Sequence, residues 1–520
     1  MNKLLLELDN LFKNGKWNLL IKKTKLAISS EQPIPPYYNL LGLSLSKIGK
    51  DLEAKKIFVE AIEKFPDEIS LKSNIALVLT NLKEYEIAEK YLIDGEKLNN
   101  DDIYLLYAKG NLKKEQKKFK EAEIIFKRIC EKDIKFPKGL LLLGQNYIDL
   151  AHLTNEDSYY TLAKKNLLLC SEFFPKSVNV DYTLSTIIDY SKNDFHQKKM
   201  LSKIKNIELD DDQKSFIYFA LGKSFEDQKK YDQSSEYIKI ANFSKNKSTD
   251  KNILRNEILK YRNIKKIFDN INNTIQNKDR LFQNKIIFVV GLPRSGTSLV
   301  HQLLSTSTNT FGFGESDFLR RFFDKNIFDK NFISKILNKK TFEEYLINIS
   351  NHIGKKYAMI TDKKVFIDKM PPNFFWIGFI KLLFPNSKIV HTNRNIKDNC
   401  LSIYKNLFGL GDMDWSYNEK NILRFVLNYK DTMKYWKSKY SAFIYDVNYE
   451  NLVNNKEETT KKLFEFCELN FDERVFDFYK SARTIRTVSI NQVKKPIYQT
   501  SVNISSKYIE YFDFLNQLDQ

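Results

Sequence analysis

Between residues 38 and 126 the same kinds of residue return every 34 positions, and a fixed period of that length confines a chain to stacked supersecondary units. Gly42, Ala76 and Gly110 stand in register, as do Ala54, Ala88 and Ala122, and as do Phe58, Leu92 and Phe126. Small residues at matching places on two successive helical patterns let the helices cross closely, and the larger apolar residues fill the groove between them. Pro66 stops the second helix of its unit. Each unit is therefore expected to be two antiparallel helices. The next unit opens in register with Gly144 and Tyr147, but its second helix is displaced seven residues, to Ala163 and Leu167, with Pro175 as its stop. The polar run Thr154-Asn155-Glu156-Asp157-Ser158 reads as an inserted loop. Residues 176–210 read as a degenerate pair, and Gly222, Phe225, Ser234, Ile238 and Ala241 mark one more unit. Five or six helical pairs over residues 1–250 are expected; an ordinary helical bundle is the alternative, which three agreeing registers weigh against.

Within one unit, Tyr38, Leu41, Gly42, Leu45, Ala54, Phe58, Ala61 and Pro66 resemble the tetratricopeptide pattern. The resemblance implies an α solenoid over residues 1–250 with a concave surface for a polypeptide substrate or a partner protein. Such a surface carries no chemistry by itself, and scaffolding or self-association is its plainer use. The stretch that follows is rich in Asn and Lys and free of Gly and Pro, so a connecting helix is expected over 251–283.

At Lys285 the texture changes. Ile286-Ile287-Phe288-Val289-Val290 is a continuous apolar run of branched and aromatic residues ending at Gly291, which reads as a strand buried on both faces. A helical pattern through Leu299, Gln302 and Leu303 follows. Two later runs, Lys388–Thr392 and Ala442–Val447, also read as strands leading into helices. An α/β domain with a central parallel sheet is therefore expected over 284–520.

The turn between the first strand and its helix, Gly291-Leu292-Pro293-Arg294-Ser295-Gly296-Thr297-Ser298, nearly spells the phosphate-cradling loop GxxxxGK[ST], with Thr297 where the lysine belongs. Backbone N–H groups from Arg294 to Ser298 at a helix start would form an anion nest, with the helix dipole behind it. A triphosphate loop adds a lysine and a magnesium-holding hydroxyl. Here an arginine enters earlier instead, which fits an anion with one terminal transferable group and no metal. A nucleotide-triphosphate kinase or hydrolase, and a glycine-rich turn with no ligand, remain the alternatives.

Charge and cysteine usage narrow the class. The chain carries 84 Lys+Arg against 65 Asp+Glu, a net charge of +19, which suits an anionic partner such as a phosphorylated cofactor, although lysines on solvated faces explain the same number. Cys130, Cys170, Cys400 and Cys467 form no CxxC pair, which argues against zinc and disulfides and fits a reducing cytoplasm. No metal, nucleic acid or membrane span is expected: no apolar run of about 18 residues occurs, and the first residues lack a signal-peptide pattern.

Pro293-Arg294-Ser295-Gly296-Thr297-Ser298 resembles the 5′-phosphosulfate loop of sulfotransferases that use 3′-phosphoadenosine-5′-phosphosulfate (PAPS), and Arg394 with Ser402 eight residues on resembles their 3′-phosphate site. Gly314-Glu315-Ser316, Asp368-Lys369-Met370-Pro371, Tyr449-Glu450-Asn451-Leu452 and the segment Val488–Tyr498 resemble motifs of the protein-tyrosine sulfotransferase branch and its repeat-fused relatives. The resemblance covers about residues 284–510. It implies cofactor contacts from Arg294, Ser295, Gly296, Thr297, Ser298, Arg394, Ser402 and Tyr449, and from Ser489, Gln492, Val493, Lys494, Lys495 and Pro496 in the C-terminal segment. It implies Glu315 as general base, Arg294 and Lys369 as cations on the sulfuryl and leaving-group oxygens, and Ser489 as a hydrogen-bonding group in the same region. Two departures stand out. Ile504-Ser505 occupies a place where the pattern carries a basic residue and Trp, with Lys507 slightly later, and Asn406 beside Lys405 replaces a basic residue late in the 3′-phosphate helix. Among the histidines, His301 reads as packing and His391 as a core or sheet-edge residue. A carbohydrate or lipid hydroxyl as acceptor, and a repeat scaffold with an inactive transferase domain, remain alternatives.

Overall fold

Amphipathic helices fill the first half because their apolar residues recur at helical spacing and their small residues permit close crossing. The computed structural model describes residues 3–29, 33–271, 274–409, 411, 413–480 and 496–519. The chain divides into two compact units, Met1–Pro175 and Lys176–Gln520.

In the first unit ten helices follow one another from Lys3 to Phe173 among the described residues. The 34-residue register has the physical cause expected of it: a Cβ on Gly42 would come within 2.4 Å of the Phe58 ring, and one on Gly110 within 2.4 Å of Phe126. Gly144 and Leu167 make the same pairing across the displaced unit, at 2.5 Å. The seven extra residues there do not form a loop. Most of them go into the helices: Gly139–Thr154 and Asp157–Phe173 have 16 and 17 residues, against 13 and 14 in Ile103–Glu115 and Phe119–Lys132. Asn155, left-handed at φ 59°, and Glu156 are all that joins them. A polar run of Asn, Asp and Ser suits a helix start as well as a loop.

The second unit opens with the short helix Asn179–Ser185, then Phe195–Asn206 and the pair Asp211–Asp227 and Tyr231–Lys247. The linking helix is shorter than the sequence predicts: it runs Ile253–Asn270, and a single 3₁₀ turn, Lys278–Arg280, precedes the first strand. It is also less solvated than its composition indicates, since Leu254, Ile264, Ile267 and Phe268 are buried in the core against the sheet.

Five parallel strands follow: β1 (Lys285–Gly291), β2 (Thr310–Gly314), β3 (Val365–Lys369), β4 (Lys388–Asn393) and β5 (Ile444–Asn448). Their order is β2-β3-β1-β4-β5, with β1 in the centre. Alternation divides β1 between two cores: Ile286, Phe288 and Val290 pack on one face, and Ile287 and Val289 on the other. β1, β4 and β5 stand where the apolar runs place them. β2 and β3 were not anticipated as strands. Thr310-Phe311-Gly312-Phe313-Gly314 carries two glycines, which weaken strand propensity, and Val365-Phe366-Ile367-Asp368-Lys369 ends on two charges.

Candidate active site

Chain connectivity moves from β1 toward β2 and β3 on one side and crosses to β4 and β5 on the other. In an open parallel sheet the crevice at that reversal, beyond the carboxyl ends of the strands, is where ligands bind. Five of the sequence motifs emerge at such an end: Arg294 after β1, Glu315 after β2, Lys369 at the end of β3, Arg394 after β4, and Tyr449 after β5.

The turn after β1 is strained in the way an anion site demands. Arg294 holds a left-handed φ of 70°, which a bulky side chain tolerates only where its surroundings enforce it. Asn399 Nδ2 donates to the Pro293 carbonyl at 2.7 Å, and the Ser295 and Thr392 hydroxyls bond at 2.7 Å. Gly296, at φ 101°, cannot be replaced without cost, because a Cβ would meet the Tyr449 ring at 2.6 Å. The helix Thr297–Leu304 starts directly after it, so the N–H groups of its first turn face the crevice region.

Two guanidinium groups converge on this turn. Arg394 Nη1 donates to the Arg294 carbonyl at 3.3 Å, and its Nη2 bonds the Ser501 carbonyl. The Arg394 guanidinium carbon lies 4.9 Å from the Tyr449 ring centroid. Burial and the neighbouring Arg394 charge push the Arg294 guanidinium down to about 10. Ser402 lies two helical turns beyond Arg394, as its spacing predicts, but its hydroxyl accepts from Arg294 Nε at 3.1 Å instead of pairing with Arg394. Arg294 and Arg394 line one pocket together with Gly296, Thr297, Ser298 and Tyr449, and with Pro496, Ile497, Tyr498 and Ser501 of the C-terminal segment; Ser402 is not part of its lining. That segment is pinned by Asp398, which accepts from the backbone N–H of Asn503 at 2.6 Å and of Ser505 at 2.8 Å. Ser489, Gln492, Val493, Lys494 and Lys495 lie outside the described residues; Pro496 lines the pocket.

These groups fit a multiply charged anion. Arg394 Nε is buried with no hydrogen-bond partner among the described residues, and the Arg294 guanidinium lies close enough for the two like charges to act on each other. Neither cation discussed for the departures from the family pattern joins them. Lys405 is held by Glu226 and lies 5.1 Å over the Tyr508 ring. Lys507 is exposed.

On the other side of the same turn lies a second cavity, of about 230 Å³, which Arg294, Thr297, Ser298 and Glu315 all line. Its remaining walls are mostly apolar, among them the rings of Phe374, Trp415 and Phe425, with the charged side chains of Glu257, Lys260 and Arg320. Glu315 is ion-paired with Lys369, whose side chain is only 2 % exposed. Burial lowers the Lys369 ammonium, and Glu315 works against that shift.

The position of Glu315 is braced twice, and sequence reasoning found neither brace. His301, set aside as packing, has its Nε2 at 3.1 Å from the Gly314 backbone N–H, so that nitrogen is the acceptor and fixes the end of β2. Asp368 Oδ2 accepts from the Ser316 hydroxyl and, at 2.5 Å, from Tyr357, while Asn373 Nδ2 donates to Oδ1 at 3.2 Å. Burial raises the Asp368 carboxyl to about 7 against the pull of those hydroxyls. The signal for His301 was its helical position, facing back to the strand that the sequence did not reveal. His391 is engaged elsewhere, between Asp446 at 2.6 Å and Tyr429 at 2.5 Å. A cavity of about 810 Å³ opens at the opposite strand ends beside Lys285 and Lys388, away from all of these groups. No group of three or more His, Cys, Asp or Glu with metal-holding geometry occurs among the described residues, and no described helix is long and apolar enough to cross a membrane.

Comparison with known proteins agrees with this geometry. An uncharacterized protein of Aquifex aeolicus (strain VF5) is 26% identical over 538 aligned residues, covering 92% of this chain and 69% of that one. Among solved structures, a tetratricopeptide repeat protein from Parabacteroides merdae ATCC 43184 aligns over 48% of this chain and 94% of its own, at 19% identity and a TM-score of 0.33. Pseudomonas aeruginosa pilF aligns over 39% and 89%, at 17% identity and a TM-score of 0.31. At such scores the description of the helical array rests on this chain's own packing. Residues 287–473 match the family described as the sulfotransferase family, a span that runs from β1 past β5 and includes Arg294, Glu315, Lys369 and Arg394. The chain therefore carries a sulfotransferase-family domain behind a succession of helical pairs, and sulfuryl transfer is the general activity this domain supports.

Proposed function

We propose that the protein transfers the sulfuryl group of PAPS to a hydroxyl, with a tyrosine of a polypeptide as the favoured acceptor. The observation that carries this reading is the turn Arg294–Ser298, which borders two cavities at once: a cationic pocket on one side and an aromatic cavity containing Glu315 on the other. In-line transfer needs a donor and an acceptor on opposite sides of one anion-holding element. PAPS supplies an activated sulfuryl group; the bridging S–O bond to its 5′-phosphate breaks as a new S–O bond forms to the acceptor oxygen, leaving adenosine 3′,5′-bisphosphate. The residues do the rest. The N–H groups at the start of Thr297–Leu304 and the Arg294 guanidinium hold the 5′ anion, and Arg394 with Tyr449 holds the nucleoside end. Glu315 takes the acceptor proton, and Lys369, already at its side, lends its charge to the leaving oxygen as that charge grows. The residues 481–495 include the proposed contacts Ser489, Gln492, Val493, Lys494 and Lys495. The repeats present the polypeptide, and four free thiols suit a reducing cytoplasm.

Glu315→Ala tests the assignment. Transfer from labelled PAPS to a tyrosine peptide is expected to fall by about 10²-fold or more, while calorimetric binding of adenosine 3′,5′-bisphosphate stays at the wild-type value. A variant that retains full transfer would remove Glu315 as the base. An acceptor panel with sugar and lipid hydroxyls decides between tyrosine and those substrates.

A further inference from the structure

One wall of the aromatic cavity comes from outside the segment matched to sulfotransferases. The linking helix Ile253–Asn270 contributes Glu257 and Lys260 to it. Lys260 is buried, with its Nζ 2.8 Å from Glu257 and 2.7 Å from Asp324. The same ammonium lies 5.5 Å and 5.6 Å from the ring centroids of Phe375 and Trp376. An ammonium taken out of water is costly unless its donors are used, and well-packed apolar side chains stabilise a helix joint at least as well as a buried ion pair. A lysine at this place is therefore explained poorly by packing and well by a ligand.

Donor arithmetic says what that ligand offers. An ammonium has three N–H donors. Glu257 takes one and Asp324 pairs with the same ammonium at 2.7 Å, which leaves at least one donor for a group that enters the cavity. Across the cavity the rings of Trp415 and Phe425 stack with centroids 3.8 Å apart. A volume of about 230 Å³ is below the ~300 Å³ at which pockets for drug-sized ligands begin, and leaves space for one ring with short substituents.

We propose that Lys260, fixed by Glu257 and Asp324, selects the acceptor: the cavity takes a single aromatic ring that carries the reacting hydroxyl at the Glu315 end and a carbonyl or carboxylate oxygen within reach of the Lys260 ammonium. This deepens the sulfuryl-transfer reading and rests on it. A tyrosine within a polypeptide has both features, since its own carbonyl stands a short way from the ring. Acceptor choice is then decided by a helix that precedes the matched domain, and relatives with the same turn and the same base differ in substrate through that helix.

The test compares N-acetyl-tyrosinamide with 4-ethylphenol, which has the ring and hydroxyl but no carbonyl, using the full-length protein and labelled PAPS. Wild type is expected to favour N-acetyl-tyrosinamide in kcat/KM by roughly tenfold, the worth of one hydrogen bond to a charged donor. Lys260→Met is expected to lose that preference while binding of adenosine 3′,5′-bisphosphate is unchanged, and Lys260→Arg to keep part of it. Equal kcat/KM for the two phenols in wild type overturns the proposal, as does a preference that survives in Lys260→Met. Should Lys260→Met fail to fold, the wild-type comparison and Lys260→Arg still decide. Failure of the bisphosphate to bind wild type overturns the sulfuryl-transfer reading and this one with it; binding followed by indiscriminate transfer overturns this one alone.

Discussion

The helical pairs before Pro175 and the pair Asp211–Asp227 with Tyr231–Lys247 obey one sequence rule and serve different purposes. In both, a small residue on the first helix admits an apolar side chain from the second: Phe126 over Gly110 in one, Ile238 over Gly222 in the other, where an added Cβ would approach to 2.8 Å. The earlier pairs bury their apolar faces against one another, from Tyr38 through Leu112. The later pair spends its outer face on the transferase. Phe219 and Ala241 share a core with Leu407 and Tyr417, Asn242 Nδ2 donates to the Tyr404 carbonyl at 2.9 Å, and the Ser234 hydroxyl bonds that of Tyr508 at 2.9 Å. A repeat pattern thus reveals how helices pair and leaves open what the pair is built against.

The largest test of that difference is a pair of truncations. A protein starting at Lys176 is expected to stay folded and to bind adenosine 3′,5′-bisphosphate as the full chain does, because the compact unit begins there. A protein starting near residue 251, where the repeat pattern ends in the sequence, is expected to be insoluble or molten, since Leu407, Tyr417 and Tyr508 lose their cover. Circular dichroism and calorimetry on the two products decide it. Equal behaviour of both would break the comparison.

The sequence disclosed the repeat period, the central strand β1 and the polar turn after it for the same reason: each is a local pattern. Gly42 and Phe58 are sixteen positions apart on adjacent helices, and Arg294 to Ser298 is a single turn. What stayed hidden is what depends on distant parts of the chain. β2 and β3 are strands because the sheet holds them, not because Thr310–Gly314 or Val365–Lys369 has strand-like composition. With β2 unseen, the contact from His301 to Gly314 had no partner to be inferred from. The pairing of Ser402 with Arg294 required knowing that β1 and β4 are neighbours, and the entry of Lys260 into the cavity beside Glu315 required the folded position of a helix whose composition is very polar.

pH separates the two units next. Many ion pairs of the earlier helices lie at the surface, such as Lys97 with Asp94, 70% and 51% exposed, and surface pairs contribute little. Asp368 is buried at the site, and burial raises its carboxyl from the usual range near 3.8 to about 7. Between those values the folded protein keeps the proton and the unfolded chain does not, so stability from this group is complete at low pH and falls as pH rises to about 7. Thermal unfolding of the bisphosphate-stabilised unit is expected to show that decline, and Asp368→Asn, which cannot ionise, to lose it. An identical pH dependence in wild type and Asp368→Asn would show that Ser316 and Tyr357 hold the carboxylate ionised throughout.

The smallest effect, and the most direct comparison, comes from two glutamates on repeat helices. Glu89 pairs with Lys113 at 2.9 Å within the first unit; it is 43% exposed, and Lys113 has Glu121 at 3.5 Å as a second partner. Glu89→Ala is expected to cost about 0.5 kcal/mol and to leave bisphosphate binding unchanged. Glu226 pairs with Lys405, the residue that caps the Ser402 helix, and both side chains are mostly buried. Removing its carboxylate takes away the anion paired with the Lys405 ammonium among the described residues and leaves that ammonium over the Tyr508 ring. The cost is expected to lie between surface and fully buried pairs, about 1–3 kcal/mol. Because Lys405 stands three residues beyond Ser402, which holds Arg294, the loss is expected to reach the anion pocket and weaken bisphosphate binding several-fold. Melting curves with and without the bisphosphate measure both terms. If Glu226→Ala behaved like Glu89→Ala in each, the later helical pair would be an attached repeat and not a wall of the transferase.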